Sequence, residues 1–409
     1  MKRNFILKSW IVLVLCFFGC GEDEKPAVSV KLLSISVDQS FNTSDTENWI
    51  IIHDDVGKLI EYRSFESGDD ITIETTASTP ENTIGVTFLK LYFQDDFRFY
   101  NLETYLNIEK GETLKVANFQ TSVDGQLGGT FDIVIDGFTS FDQSSTSNKF
   151  GFGCGGSSGS VVDLTCGTID SATKYILQLS DKSGDLRYKV LEDVEVDDSY
   201  RISFYEMEPF DTTIEFVFPE STDVDLTISG REAGFSYFDF GYSLNNHVID
   251  DAHTQIKAGY LNSLTKYSTE LSVGYPDFKY VYSIRGSIPD PNISWPSKAD
   301  FSLSSKLLQD FSSDVKTSFN WRKSIWTYEG LSSPTTSHVT WQIFSKSVAH
   351  KLSELPAEIV SQHPVIAFEN LKHSSTTFYT ESEPYIDHIK RTLNEEDAPV
   401  DAQIGISIW

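Results

Sequence analysis

Positive charge is scarce in this chain of 409 residues. Its 32 Lys and Arg stand against 60 Asp and Glu, for a formal net charge of −28. That deficit argues against a nucleic-acid partner, because a phosphate backbone is bound by a basic face. An acidic surface keeps the chain soluble, repels anionic polymers and gathers cations weakly. Long apolar runs are also lacking. Trp10 to Phe18 is unbroken for nine residues, short of the roughly 20 that a spanning helix needs, and no second run is long enough. Cysteine is rare, with four residues at 16, 20, 154 and 166. Cys154 and Cys166 have no further thiol or histidine close in sequence, so a structural metal site is not expected there. Helical periodicity is thin. Val348, Leu352, Leu355 and Ile359 approach a 3–4 spacing, and Pro356 allows only a short helix starting near it.

Aromatic residues and alternation are abundant. The hydrophobic share is a modest 39%, but 29 Phe and 18 Tyr bring aromatics to 13%, enough for substantial cores. "WIIIHDD", "DDITIETT", "GTFDIVIDG", "DVDLTISG" and "HVTWQIF" are rich in β-branched and aromatic residues. They are bounded by Gly, Asp, Asn and Pro, as strands are. The chain reads as all-β, with at most short helices.

The first twenty residues read as a signal. Lys2, Arg3 and Lys8 form a basic start, and Trp10 to Phe18 fits the apolar core of a secretory signal. Gly19 then precedes Cys20. This resembles the lipobox of bacterial lipoproteins, which implies a diacylglycerol on Cys20 and cleavage that leaves it N-terminal. Cys16 is the rival position, but bulky Leu15 stands where that motif needs a small residue. An uncleaved anchor, or an ordinary signal with a chance cysteine, is the other reading. Glu22, Asp23 and Glu24 follow at once. They resemble the export signal of Bacteroidota-type surface lipoproteins, which implies the outer leaflet of the outer membrane. A solvated tether on the periplasmic face is the alternative. In an exported chain, Cys154 and Cys166 pair as a disulfide. Closing so short a loop contributes about 3 kcal/mol in the chain-entropy view.

Two segments repeat. "NWIIIHDDVGKLIEY" at 48–62 aligns with "YILQLSDKSGDLRYK" at 175–189, placing Asp54 on Asp181 and Gly57 on Gly184. "FESGDDITI" at 65–73 aligns with "VEVDDSYRI" at 194–202. The pattern is strand, Asp-x-x-Gly turn, strand, acidic turn, strand, with the glycines supplying positive φ. A strand closing in Ile-x-Gly also recurs, ending at Gly137, Gly230 and Gly286. This opening resembles carboxypeptidase-regulatory and transthyretin-like sandwiches, which implies non-catalytic modules. The expected organisation is an acidic tether at 20–27, sandwich units at 28–150 and 168–285, a Gly/Ser-rich disulfide loop at 151–167 between them, and a β-rich region at 286–409. Prolines within 287–297 mark the last boundary.

No catalytic constellation stands out. Gly155 to Gly159 fits G-x-S-x-G, but that elbow needs a strand before it and a helix after it. His247, Asp250, Asp251 and His253 are metal-capable residues without a standard ligand spacing, and read as a polar surface loop. "DKSGDL" at 181–186 lacks the glycine position and flanking helices of a calcium loop. No metal or cofactor is expected. The stretch "FNWRKSIWTYEG" at 319–330 is more informative. As one strand, it puts Phe319, Trp321 and Ile325 on one face and Asn320, Arg322, Ser324, Trp326 and Tyr328 on the other. The first face reads as core. The second, with Arg322, Trp326 and Tyr328, has the composition of a sugar-binding platform, or of a second buried face. Trp341 shares a side with Val339 and Ile343 and reads as core. The expected function is a surface-anchored, non-catalytic binding or accessory lipoprotein for a glycan or an outer-membrane protein. A structural or adhesive lipoprotein, or a hydrolase with an illegible site, are the alternatives.

Overall fold

The computed structural model describes residues 29–39, 41, 46–76, 82–94, 96–117, 126–236, 240–249, 252–332, 335–394 and 396–409. The first strands are β1 (Val30–Val37), β2 (Thr46–His53), β3 (Leu59–Ser64), β4 (Asp70–Thr75), β5 (Thr83–Gln94), β6 (Phe97–Glu109) and β7 (Glu112–Val116). Next come β8 (Leu127–Asp136), β9 (Phe141–Asn148), β10 (Gly153–Gly159), β11 (Val162–Ile169), β12 (Tyr175–Asp181), β13 (Leu186–Leu191), β14 (Ser199–Ser203) and β15 (Glu208–Pro209). These are followed by β16 (Thr212–Val217), β17 (Asp223–Arg231), β18 (Tyr242–Ile249), β19 (Gln255–Tyr260), β20 (Lys266–Gly274) and β21 (Phe278–Gly286). The last are β22 (Phe301–Leu307), β23 (Asp310–Val315), β24 (Trp321–Ser332), β25 (Thr335–Ser345), β26 (Ala349–Lys351), β27 (Lys372–Thr380) and β28 (Val400–Ile408). Two α-helices, α1 (Ala357–Gln362) and α2 (Tyr385–Asn394), complete the described chain. Neither is long and apolar enough to cross a membrane. The fold is all-β.

One twelve-stranded sheet organises the molecule, in the order β18-β17-β20-β21-β28-β27-β24-β25-β6-β5-β2-β3. All its neighbours are antiparallel except β25 and β6. One face is covered along its length. Over β17, β20, β21 and β28, residues Val224, Leu226, Leu271, Tyr282 and Ile406 pack on Phe216 and Ile256 of the β16–β19 ribbon. Further along, Leu89, Leu102, Trp341 and Ile343 pack under Phe311 of β23, Leu352 and Ile359 of α1. The second face is covered only in part. The sheet β4-β1-β7 and helix α2 bring Leu33, Ile35, Leu114, Ile389 and Leu393 onto Ile50, Ile52, Val86 and Tyr105. Each large side chain so buried contributes about 1.5–3 kcal/mol. This second cover stops near β24, and the same face of β17, β20, β21, β28 and β27 is left open.

The region from β8 to β15 is a sandwich of its own. The sheet β11-β8-β14 faces β10-β9-β12-β13-β15, with Ile133, Ile135 and Leu164 meeting Leu177 and Leu179. Cys154 of β10 and Cys166 of β11 form a disulfide that joins the two layers, as the sequence led us to expect.

The two Asp-x-x-Gly segments fold alike. Asp54 Oδ1 accepts the backbone N–H groups of Val56 and Lys58 at 3.1 and 2.8 Å. Asp181 Oδ1 accepts those of Ser183 and Asp185, both at 2.9 Å. Gly57 and Gly184 take φ of 80° and 81°, a region open to glycine at no steric cost. The acidic turns match as well: Asp69 and Asp198 each accept a backbone N–H three residues back, from Glu66 and Glu195, at 2.8 Å. Beyond these turns the paths diverge. β4 runs antiparallel to β1, whereas β14 runs parallel to β8.

The expected linker and boundaries need correction. The Gly/Ser-rich disulfide loop expected at 151–167 is largely β10 and β11, and the serines just before it form β9. Ser144, Ser145, Thr146 and Ser147 are buried because β9 lies between β10 and β12 and its outer face meets β18. There Ser147 Oγ accepts the N–H of Ser243 at 2.6 Å. β8, assigned to the first unit, belongs to this second sandwich. The long sheet also crosses the boundary set at 286, since β21 pairs with β28. Helix α1 begins after Pro356 as expected. Helix α2 went unread, although Tyr385, Ile389 and Leu393 give it a buried stripe at helical spacing.

Candidate ligand groove on the open sheet face

Of the two readings of Arg322, Trp326 and Tyr328, a sugar-binding platform or a second buried face, the structure has the buried face. Arg322 and Trp326 are both 0% exposed. Trp326 donates its indole N–H to the Lys306 carbonyl at 3.0 Å and meets Phe311 edge-on. The Arg322 guanidinium lies 4.3 Å from the Phe311 ring centre and donates to Ser347 O, Ser324 Oγ and His350 Nδ1 at 2.7–2.8 Å. Tyr328 is half-buried against the same core. The physical reason is the layer β22-β23-β26, which covers this side of β24. The side read as core carries buried Trp321 but also half-exposed Lys323 and Ile325. The alternation was legible, and each face of β24 buries a tryptophan, Trp321 on the side read as core and Trp326 on the other. Trp341, Val339 and Ile343 are buried, as core residues should be.

Other sequence candidates separate. Cys20, Glu22, Asp23 and Glu24 lie outside the described residues, as do Asp250 and Asp251. His247 falls on edge strand β18. His253 lines an open hollow of about 250 Å³ beside the Asp181 turn, with Lys257. After Gly159 comes strand β11 rather than a helix, so the elbow geometry is absent.

What the fold leaves open is a groove on the second face of the long sheet. Its floor follows from register. Asp225, Ser272, Val281, Gly405, Tyr379 and Trp321 form one cross-strand row over six strands. Thr227, Glu270, Ser283 and Gln403 form the next. At Gly405 a Cβ would come within 2.9 Å of Val281 and 3.1 Å of Tyr379, so glycine lets the tyrosine ring lie across its strand. Two hollows occupy the groove, about 470 and 280 Å³, and share Ser283, Lys323, Tyr379 and Gln403. The smaller is walled by Glu103 and Tyr105 of β6, Gln342 and Phe344 of β25, Arg285 of β21, and His388 and Arg391 of α2.

The wall is a tight polar network. Tyr379 stacks on Trp321 at 4.1 Å, and burial pushes its hydroxyl up to about 12. Trp321 and Gln403 each donate to one oxygen of the Glu381 carboxylate, whose pKa burial raises. Arg391 clamps Glu383 with bonds of 3.0 and 2.7 Å and reaches His388 Nδ1 at 3.1 Å. Burial, then the Arg391 charge, brings His388 down to about 4. Glu381, Glu383 and His388 converge closely enough to suggest metal ligands. However, the Arg391 guanidinium already engages the imidazole nitrogen and the Glu383 carboxylate, which leaves no cation a free approach. In the floor itself, burial lowers the pKa of Lys323 and Arg285.

The chain matches no family model and no curated protein. The groove must therefore be judged by its chemistry. Its lining mixes hydroxyl, amide and charged groups with the rings of Tyr379, Trp321, Tyr105 and Phe344, and it is open along its length. Drug-sized sites are concave and mainly apolar, so this lining suits an extended polar ligand. Sequence reasoning missed it because its residues come from eight separate strands and a helix. Each polar residue alone reads as a solvated strand face.

Proposed function

We propose that this chain is a lipid-anchored binding protein of a bacterial cell surface and that its groove holds a glycan. The observation that carries the reading is the register-aligned floor, in which Thr227, Ser283 and Gln403 offer hydrogen bonds beside the Tyr379 ring, with Gln342 in the wall. Sugars present hydroxyls at their rims and apolar C–H faces, and this pairing of amides with an aromatic ring complements both. Binding rather than turnover is favoured at the smaller hollow, where Glu381 and Glu383 beside it are held by Trp321, Gln403 and Arg391, and Glu103 by Tyr105. The basic start, the apolar run and Gly19-Cys20 support the anchor, and Glu22, Asp23 and Glu24 support surface export. The shared turn geometry supports reading the two hairpins as parts of related modules.

Two experiments test this. The mature chain on a glycan array should bind a defined set of oligosaccharides. Ser283→Trp, which fills the groove, should weaken that binding more than tenfold with an unchanged thermal melt. Undiminished binding would move the site elsewhere. Separately, Cys20→Ala should release the protein from membranes into the soluble fraction, and retention would remove the lipid anchor from the reading.

A further inference from the structure

The smaller hollow has a charge opposite to that of the molecule. In a chain of net charge −28, three of its lining residues are the cations Arg285, Lys323 and Arg391, against one carboxylate, Glu103. Glu103 already accepts the Tyr105 hydroxyl at 2.9 Å. Arg391 is clamped on Glu383 outside the hollow. Lys323 is the distinctive member. It is half-buried in the floor, shared by both hollows. Among the described residues no carboxylate lies within ion-pair distance of it, and its ammonium rests 5.5 Å from the Phe344 ring centre. Glu103 of the same hollow is the carboxylate whose charge acts on it, and a partly desolvated cation gains further when a second anion enters. Burial lowers the pKa of Lys323 against the attraction of Glu103, and burial and then the Arg391 charge lower that of Arg285 against Glu270 and Asp397.

We infer that the hollow over Lys323 and Arg285 is a subsite for a carboxylate carried by one sugar of the bound glycan, an inference that rests on the groove reading above. Planar Arg285 suits a carboxylate, as guanidinium groups do, and Lys323 supplies a point charge. The adjoining floor of Thr227, Ser283 and Gln403 is neutral and hydrogen-bonding, and matches unmodified sugars. Glu270 and Asp225 line the far hollow and oppose charge there. The acidic surface likewise disfavours a continuous polyanion. The ligand is therefore a mainly neutral oligosaccharide with an isolated acidic sugar, of the uronate or sialate kind.

The test is an array printed with uronate- and sialate-bearing oligosaccharides beside their carboxyl-reduced counterparts, probed with the full mature chain. Acidic ligands should bind at least tenfold more tightly than the reduced forms. Lys323→Met should reduce the ratio of acidic to reduced-form binding at least tenfold, with an unchanged thermal melt showing that the variant is folded. Arg285→Gln should act in the same direction, and Lys323→Arg should keep the preference. Equal binding of acidic and reduced forms, or a preference that survives Lys323→Met and Arg285→Gln, overturns the carboxylate subsite and leaves the glycan groove standing. Binding to neither form overturns both.

Discussion

Trp326→Ala should cost about 3–5 kcal/mol of stability, as truncation of a large buried aromatic does. The indole is enclosed by Phe311, His350 and His373 at ring distances of 5.3–5.8 Å, and its N–H is satisfied by Lys306. Removing it leaves a cavity, an unpaired carbonyl and a loosened Phe311, the ring that also lies over Arg322. Urea melts of wild type and variant measure the loss. Trp321→Ala is the useful comparison, because that ring is also buried, at 3% exposure, but borders the groove. Both should lose several kcal/mol. A change near 0.5 kcal/mol for Trp326→Ala, typical of surface positions, would contradict the buried placement and restore the ring as a candidate platform.

Mild acid should unfold the protein more readily than its carboxylates alone would require. His350 is held down to about 3 by burial and then by the Arg322 charge. His373 and His388 are held near 4, each mainly by burial, and burial lowers His53 as well. His350 shows why. Its Nε2–H donates to the Leu308 carbonyl at 3.0 Å while Nδ1 accepts from Arg322. A proton on Nδ1 would set two donors face to face. In the unfolded chain these histidines titrate near 6.5. Between about pH 6.5 and 4 the unfolded state binds more protons than the folded one, so stability falls as pH falls. Each such histidine removes about 1.4 kcal/mol per pH unit across its window. Glu381, with its raised pKa, takes up a proton earlier in the folded state and offsets part of the loss. Urea midpoints between pH 7 and 4 should drop steeply. A flat profile would show that the imidazoles are solvated.

The fold class was legible because period-two alternation survives burial on either side of a sheet. The hairpin turns were legible because an Asp oxygen and a left-handed glycine leave a local signature. Layering was not. Alternation separates Trp326 from Trp321 but does not say which of them meets a third layer, and the strands that cover Trp326 are only short. β9 was hidden for a related reason: its serines and threonine are small enough to be buried between strands, yet their composition is that of a linker. The groove was least legible of all. Lys323, Tyr379 and Gln403 become neighbours only through pairings of β24, β27 and β28, which no local pattern encodes.

The parallel seam between β6 and β25 orders the assembly of the molecule in time. Trp341 donates its indole N–H to Thr104, 237 residues earlier in the chain, and nine residue pairs from Thr336↔Phe97 to Phe344↔Tyr105 close the same gap. Until the last third of the chain has been delivered, β6 is an unpaired edge bearing Leu102 and Tyr100, both buried in the finished structure. Such an edge templates aggregation, and contacts so distant in sequence close slowly. Because synthesis proceeds from the N-terminus, the vulnerable species is thus a nascent chain that ends before Thr336, and the C-terminal strands act as its completing partner.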